Sequence, residues 1–416
     1  MSTTATNDSM SSQTHARPWL TRDRIALYGA IVLAIDLGYA GIKIWGAYVL
    51  NLPNFLAPGW DFSVFWSASW LAIHSGAASA YDVSLTERIV GPLQHLMHRE
   101  MPTPWVYPPT FLLAVWPLAL LPFYASYAAF LALGVAFSGF VFRRILPAMR
   151  GLWLPALAFP ALWIALLSGQ NSLFTLGLAA AGLVLLERRP WAAGVCIGLL
   201  AIKPQLAIVF PVALLFGRAW RALAAAAITA ATFCMLAGVL LGFDTFSRFL
   251  DVLPQFGQFT ARLAGNWPTG GMPTWFAVAR HFGLSPAGAY LTQAAFAVPA
   301  LALVAYLSLT RSRPELRAAA VGVASLLSQS YLLGYDLVWL ALPIAFLTLD
   351  GRRHGWLRGD RAVLVATWLA PLGFFLSARL QLGLCMPLVM MAVLMIIFRR
   401  ARMAGLPVRR AGGTLA

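Results

Sequence analysis

Apolar runs recur along almost the whole chain, and the connections between them are marked by arginine. Of its 416 residues 60% are hydrophobic and 11% are charged, with a mean hydropathy of +0.75. A soluble protein of this length would lack the polar surface to cover itself, so the pattern predicts an all-α, polytopic membrane protein.

The net charge of +16 invites a nucleic-acid partner, but its placement argues against one. Of the 30 Lys and Arg, 22 fall in seven clusters: Arg17, Arg22 and Arg24; Arg143, Arg144 and Arg150; Arg188 and Arg189; Arg218 and Arg221; Arg311, Arg313 and Arg317; Arg352, Arg353, Arg358 and Arg361; and Arg399, Arg400, Arg402, Arg409 and Arg410. Each sits at a terminus or in a short connection, which is the positive-inside signature and assigns all seven to the cytoplasm. Cys196, Cys234 and Cys385 stand in apolar runs without metal spacing. The polar first 16 residues carry no signal-peptide pattern and read as part of a disordered cytoplasmic tail.

Taken in order, a tail over 1–24 precedes a first span at 25–50. An outer loop over 51–107 follows, with surface helices expected near 62–75 and 83–99. The apolar stretch 107–142 is interrupted by Pro117 and Pro122 and reads as one broken pass. Short spans are expected at 153–167, 173–186, 191–202 and 206–216, then a longer one at 223–241. A second outer loop over 242–286, rich in Gly, Pro and aromatics, reads as a mobile cover. Spans at 287–309, 318–331, 337–349, 362–377 and 382–398 precede a basic tail over 399–416. The total is about 12 crossings with both termini inside.

This topology gathers the unusual polar residues on one side. Asp61, Asp82, Gln170, Asn171, Lys203, Gln205, Tyr335 and Asp336 all fall at the outer face, although the arginines that fixed the orientation lie elsewhere. Tyr107, at the end of the broken pass that is tucked near the outer surface, joins them, and Arg262 and His281 in the second loop are positioned to meet an anionic group. Each position also has a plain structural reading. Asp61 suits an N-cap for the segment starting at Phe62, and Asp82 suits one for the segment at Val83. Lys203 suits an interfacial lysine, Gln170 and Asn171 suit helix ends, and Tyr107 suits an interfacial anchor. Asp36 and Lys43 share one face of the first span, roughly 10 Å apart along its axis, and read as a contact within the bundle.

Four motifs in order resemble the polyprenyl-phosphate-mannose-dependent glycosyltransferases of family 87, which have the GT-C fold. They are Asp61-Phe62 with Tyr81-Asp82, Tyr107-Pro108-Pro109, Gly169-Gln170-Asn171, and Lys203-Pro204-Gln205-Leu206. The resemblance implies a seven-helix catalytic module over 25–241 and a catalytic aspartate early in the first outer loop, which maps onto Asp61. It also implies a polyprenyl-phosphate sugar as donor, mannose as the sugar, a glycolipid or glycan acceptor, and a site on the outer face of the inner membrane. The chain departs from many relatives in lacking histidine near Tyr335-Asp336.

The chemistry of such a donor matches these residue types. A phosphate-linked sugar carries its own leaving group, so no general acid is required. A base for the acceptor hydroxyl and a cation for the departing phosphate remain, which suit Asp61 and Lys203. One carboxylate acting on an incoming hydroxyl implies inversion. A monophosphate donor asks for no metal and no other cofactor. The competing class, a lipid flippase or transporter, calls for repeat symmetry or charged, broken helices at mid-membrane. Asp36 is the only acid expected there, and no internal repeat is evident.

Overall fold

The computed structural model describes residues 21–52, 57–93, 104–146, 152–268, 270–376 and 380–405. The expectations for the tails at 1–20 and 406–416, and for part of the helix near 83–99, lie outside them. Among the described residues there are helices and no strands: α1 (Arg22–Tyr48), α2 (Phe62–His74), α3 (Val83–Leu93), α4 (Pro109–Val115), α5 (Phe123–Ile145), α6 (Trp153–Leu157), α7 (Pro160–Ser168), α8 (Ser172–Leu185), α9 (Pro190–Gly198), α10 (Pro204–Ala207) and α11 (Val209–Phe216). These are followed by α12 (Trp220–Leu241), α13 (Asp244–Leu263), α14 (Trp275–His281), α15 (Pro286–Leu309), α16 (Pro314–Leu327), α17 (Ala341–His354), α18 (Asp360–Leu369), α19 (Gly373–Leu376) and α20 (Met386–Gly405).

Among the described residues six helical stretches are long and apolar enough to cross a membrane: Arg22–Tyr48, Phe123–Ile145, Trp220–Leu241, Pro286–Leu309, Gly334–His354 and Leu382–Ala404. Four more, Pro109–Leu120, Ser172–Leu185, Pro190–Ile202 and Pro204–Phe216, are apolar but short. A helix of 14 residues reaches only about 21 Å, against a hydrocarbon core of about 30 Å. The 12 crossings expected from hydropathy therefore include several pieces too short to span alone.

The chain does break at Pro122, but α5 beyond it is long enough to be a full span. The part before it, α4 and the 3₁₀ turn Trp116–Leu120, turns back against α2. Ser69 Oγ donates to Trp116 O at 2.5 Å, and Trp66 Nε1 donates to Leu121 O at 3.0 Å. That packing corrects the expectation of a surface helix over 62–75. Phe62, Phe65, Ala68 and Leu71 follow a three-residue step and are at most 2% exposed. Around them Trp105, Phe111, Phe123 and Phe130 form an aromatic cluster, with Phe65 edge-on to Phe111 at 5.0 Å. The second outer loop is largely helical rather than an irregular cover. The 20-residue helix α13 turns Phe249, Phe256 and Phe259 toward the protein, while Asp244, Ser247, Arg248, Asp251, Gln255, Gln258 and Arg262 remain exposed.

Close helix packing sets the depth of the functional end. On α9, Gly194 and Gly198 repeat at four residues and lie against the backbone of α12. A Cβ on Gly198 would sit 2.6 Å from Ala226 O, so only glycine allows this approach. The result fixes α9 and the 3₁₀ turn Leu199–Ile202, which ends at Lys203.

At the opposite ends of the long helices, arginine clusters meet carboxylates. Arg400, 4% exposed, donates to Asp350 at 2.5 Å, to Asp360, and to Gly355 O at 2.8 Å. Arg313 reaches Asp350 at 3.2 Å, and Arg399 pairs with Asp360. Arg353 pairs with Glu315, and Arg317 with Glu187. Because α20 continues to Gly405, Arg399 and Arg400 belong to a helix rather than to the tail expected from residue 399. On α1, Asp36 is fully buried and has no hydrogen-bond partner among the described residues, while Lys43 lies over the Tyr39 ring.

Candidate active site

The turn before α2 is joined to the end of α7. Gly59 N donates to Leu167 O at 2.7 Å, and Asp61 N donates to Ser168 O at 3.0 Å. Gly169 closes α7 with φ +73°, and a Cβ there would lie 2.5 Å from Phe62 Cβ and 2.8 Å from the Tyr127 ring. Glycine is thus required twice at this position, by the left-handed backbone and by the contact with the Asp61 turn. Asp61 stands at the N-cap position of α2, but its side chain makes no capping bond. Its carboxylate is therefore not committed to the structural task that the sequence also allowed.

Gln170, Asn171 and Ser172 open α8 beside this turn. Tyr107 donates its phenol to Gln170 Oε1 at 3.0 Å, and Asn171 N donates to the same oxygen at 3.2 Å. Tyr81 holds the Tyr107 carbonyl through its own hydroxyl at 3.0 Å. Asn171 is fully buried, and neither end of its amide has a hydrogen-bond partner among the described residues. Leaving such a group unmatched costs about 1–3 kcal/mol, which a polar ligand group would recover.

Lys203 and Asp336 meet from regions 133 residues apart, with Nζ 2.5 Å from Oδ1. Both are buried, at 4% and 1% exposure. Ser172 Oγ donates to the same carboxylate oxygen at 3.2 Å, and Leu333 N donates to Oδ2 at 3.3 Å. The lysine ammonium lies 5.2 Å from the centre of the Tyr335 ring. Its backbone is fixed by the turn on one side and Pro204 on the other, and Thr110, next to Pro108-Pro109, anchors that turn by donating to Ala201 O at 2.7 Å.

Tyr331 joins the cluster without having been singled out in the sequence. Tyr107 and Tyr331 both lie in non-helical connections, and both phenols are pushed well above the usual range. Burial is the main cause, followed by the negative charges of Asp61 and Asp336. Both carboxylates therefore act on the same pair of phenols. The ring of Tyr331 also meets Phe256 of α13 at 5.2 Å and Trp267 at 6.0 Å, carrying the cover onto the site. Ser172 was missed in the same way. One serine or tyrosine in an apolar chain carries no pattern until a distant partner is known.

Four expected site residues have other places. Asp82 is exposed and caps α3, accepting from Ser84 Oγ at 2.7 Å, Ser84 N at 2.9 Å and Leu85 N at 3.3 Å. The Ser84 hydroxyl and then the Leu85 amide hold its carboxyl below the ordinary range. The side chain of Gln205 is exposed, and its carbonyl accepts from Gln329 Nε2 at 2.6 Å. Arg262 is exposed in the last turn of α13, and His281 is bonded through Nδ1 to Gly265 O at 2.7 Å. Among the described residues, no group of three or more His, Cys, Asp or Glu is arranged to hold a metal.

The arrangement offers a carboxylate that makes no capping bond, a buried cation and a set of amide and phenol groups beside them. The glycosyltransferase family 87 model matches residues 105–343. Over 190 residues the chain is 30% identical to proteins named alpha-(1->3)-arabinofuranosyltransferase from two strains of Mycobacterium tuberculosis, CDC 1551 / Oshkosh and ATCC 25618 / H37Rv. That match covers 41% of this chain and 43% of each relative, so the chain spans less than half the length of the curated relatives it matches. No solved structure matches significantly. The family match takes in more than half of the chain, including Tyr107, Gln170, Asn171, Lys203, Tyr331 and Asp336, and on that ground the chain belongs to glycosyltransferase family 87.

Proposed function

We propose that this chain is an inverting transferase of the GT-C type. It moves a hexose, with mannose as the first choice, from a polyprenyl-phosphate donor to a hydroxyl of a glycolipid or glycan. In this reading the short helices pair to complete about 12 crossings of the inner membrane, with the termini in the cytoplasm and the site at the outer face.

The observation that carries the mechanism is the placement of Asp61: its turn is tied to the end of α7 just before Gln170 and Asn171, and its charge reaches the same two phenols as that of Asp336. Asp336 has both oxygens engaged, and Asp82 caps a helix. Asp61, which makes no capping bond, is the base. It takes the proton of the acceptor hydroxyl as that oxygen forms its bond to the anomeric carbon. The bond from that carbon to the phosphate oxygen breaks in the same step, and its electron pair leaves with the phosphate. Lys203 meets that growing charge, which relieves the step of any need for a general acid or a metal. Gln170, Asn171 and Tyr107 supply polar contacts for sugar hydroxyls.

A second donor is favoured by one observation, the arabinofuranosyltransferase name of the matched relatives, and keeps the same chemistry with a pentose. Purified protein in lipid is offered polyprenyl-phosphate mannose and polyprenyl-phosphate arabinofuranose, each radiolabelled, with membrane glycolipids as acceptor. Transfer from the mannose donor with inverted anomeric configuration is the expected result. Transfer from the arabinose donor alone would replace the sugar, and retained configuration would remove Asp61 as a simple base.

A further inference from the structure

We propose that Asp336 is a positioning residue that supplies the counter-charge to the Lys203 ammonium and aims it at the donor phosphate, so that loss of this carboxylate makes donor binding fail toward alkaline pH. This rests on the reading above, in which Lys203 holds that phosphate.

Asp336 is poorly placed to touch substrate itself. Its Oδ1 is shared by Lys203 and Ser172, and its Oδ2 accepts from the Leu333 amide. These contacts fix the carboxylate from the start of α8 and from the segment before the 3₁₀ turn Gly334–Leu340. Lys203 has the opposite character. An ammonium carries three N–H donors, and Asp336 takes one of them. Among the described residues Asp336 is the only carboxylate within ion-pair reach of Nζ. The Tyr335 ring lies beside the ammonium, with Tyr331, Tyr107 and Asp61 as the other titratable groups of the cluster.

At 4% exposure, Lys203 has little water to support its charge. A buried ammonium without a counter-charge gives up its proton more readily, and a neutral amine would not attract phosphate. The carboxylate supplies the counter-charge, and its own fixed bonds hold the ammonium in one place with donors to spare. A pair serving only to join two segments would be indifferent to the direction in which those donors point.

The test titrates an isoprenyl monophosphate into purified full-length protein in lipid nanodiscs. Measurements run between about pH 7.5 and about pH 10, where the probe stays dianionic because its second pKa is near 6. Wild-type affinity is expected to change little over this range. Asp336→Asn should lose about tenfold or more of its affinity toward the alkaline end. Adding Lys203→Arg should flatten that profile, because a guanidinium keeps its charge there. A flat profile for Asp336→Asn would overturn the proposal. Lys203→Ala separates this failure from the larger one: unchanged affinity in that variant would overturn the phosphate role of Lys203 and this inference with it. Should the Asn variant not fold, Asp336→Glu keeps the charge and displaces it by about 1.5 Å, so affinity should fall about threefold without pH dependence. Wild-type affinity in the Glu variant would remove the positioning role.

Discussion

The protein buries charge at both ends of its long helices, and the two clusters are built differently. At one end the oxygens of Asp350 and Asp360 are divided among Arg313, Arg399 and Arg400, with His354 and the Leu357 amide completing the set. Arg400 spends its Nε and both terminal nitrogens on protein oxygens. At the other end a single Lys203–Asp336 pair stands near Asp61, with the amide of Asn171 unmatched among the described residues. The first cluster engages every oxygen of Asp350 and Asp360 and all three nitrogens of the Arg400 guanidinium, and it ties α17, α18 and α20 together. The second keeps donors and acceptors in reserve, and reserve is what a ligand site needs. Guanidinium with its planar fork serves the former, and an ammonium on a flexible stem the latter.

This contrast can be broken from either side. The largest loss of stability is expected for Arg400→Met, which leaves two buried carboxylates without their shared partner. About 3–5 kcal/mol should disappear, seen as a sharp fall in folded yield and unfolding temperature. Lys203→Met should cost less, because Ser172 and the Leu333 amide still hold Asp336, while donor binding is lost. If both variants unfolded alike, the distinction between the two ends would fail.

A smaller structural change should have a large functional effect at Gly169. Gly169→Ala adds a Cβ within 2.5 Å of Phe62 Cβ at φ +73°, forcing the Asp61 turn to shift. A displacement near 1 Å is enough to reduce transfer by about 100-fold, with the helices still folded by circular dichroism. Wild-type rates would mean that the turn does not position the reacting groups. Tyr331→Phe removes a hydroxyl but keeps the ring against Phe256 and Trp267. A rate loss of about tenfold with little change in unfolding temperature is expected for a lost hydrogen bond at the site, about 1.4 kcal/mol. The smallest effect belongs to Asp82→Ala, which should cost about 1 kcal/mol as a lost cap and leave transfer per folded molecule unchanged.

Much of this architecture is legible in the sequence because its signals are local. Apolar length marks α1, α5, α12 and α15, and Pro122 marks the break before α5. Asp61, Gln170, Asn171, Lys203 and Asp336 stand out as polar residues between apolar runs, and the structure brings their segments together. What hydropathy could not give is depth. It counts a 14-residue helix such as α8 as a crossing, and it cannot tell that α2 is covered by α4. It also read 242–286 as a loop, since the apolar residues of α13 occupy one face and the polar and charged residues of the other lower its average. Partners distant in sequence were equally hidden: nothing near Lys203 announces Asp336, and nothing near Arg400 announces Asp350. Asp82 and Asp61 offer the same capping signature, yet only Asp82 uses it.

The most direct test of the account is Asp61→Asn in purified protein, with sugar transfer, donor binding and thermal unfolding measured on one preparation. Asparagine keeps the shape of the side chain and can still accept a hydrogen bond, but it cannot take a proton at neutral pH. The account predicts near-normal unfolding and donor affinity, with transfer reduced by about 100-fold or more. A stable variant that binds donor and transfers at close to the wild-type rate would contradict it, and the base would then have to be sought elsewhere in the cluster.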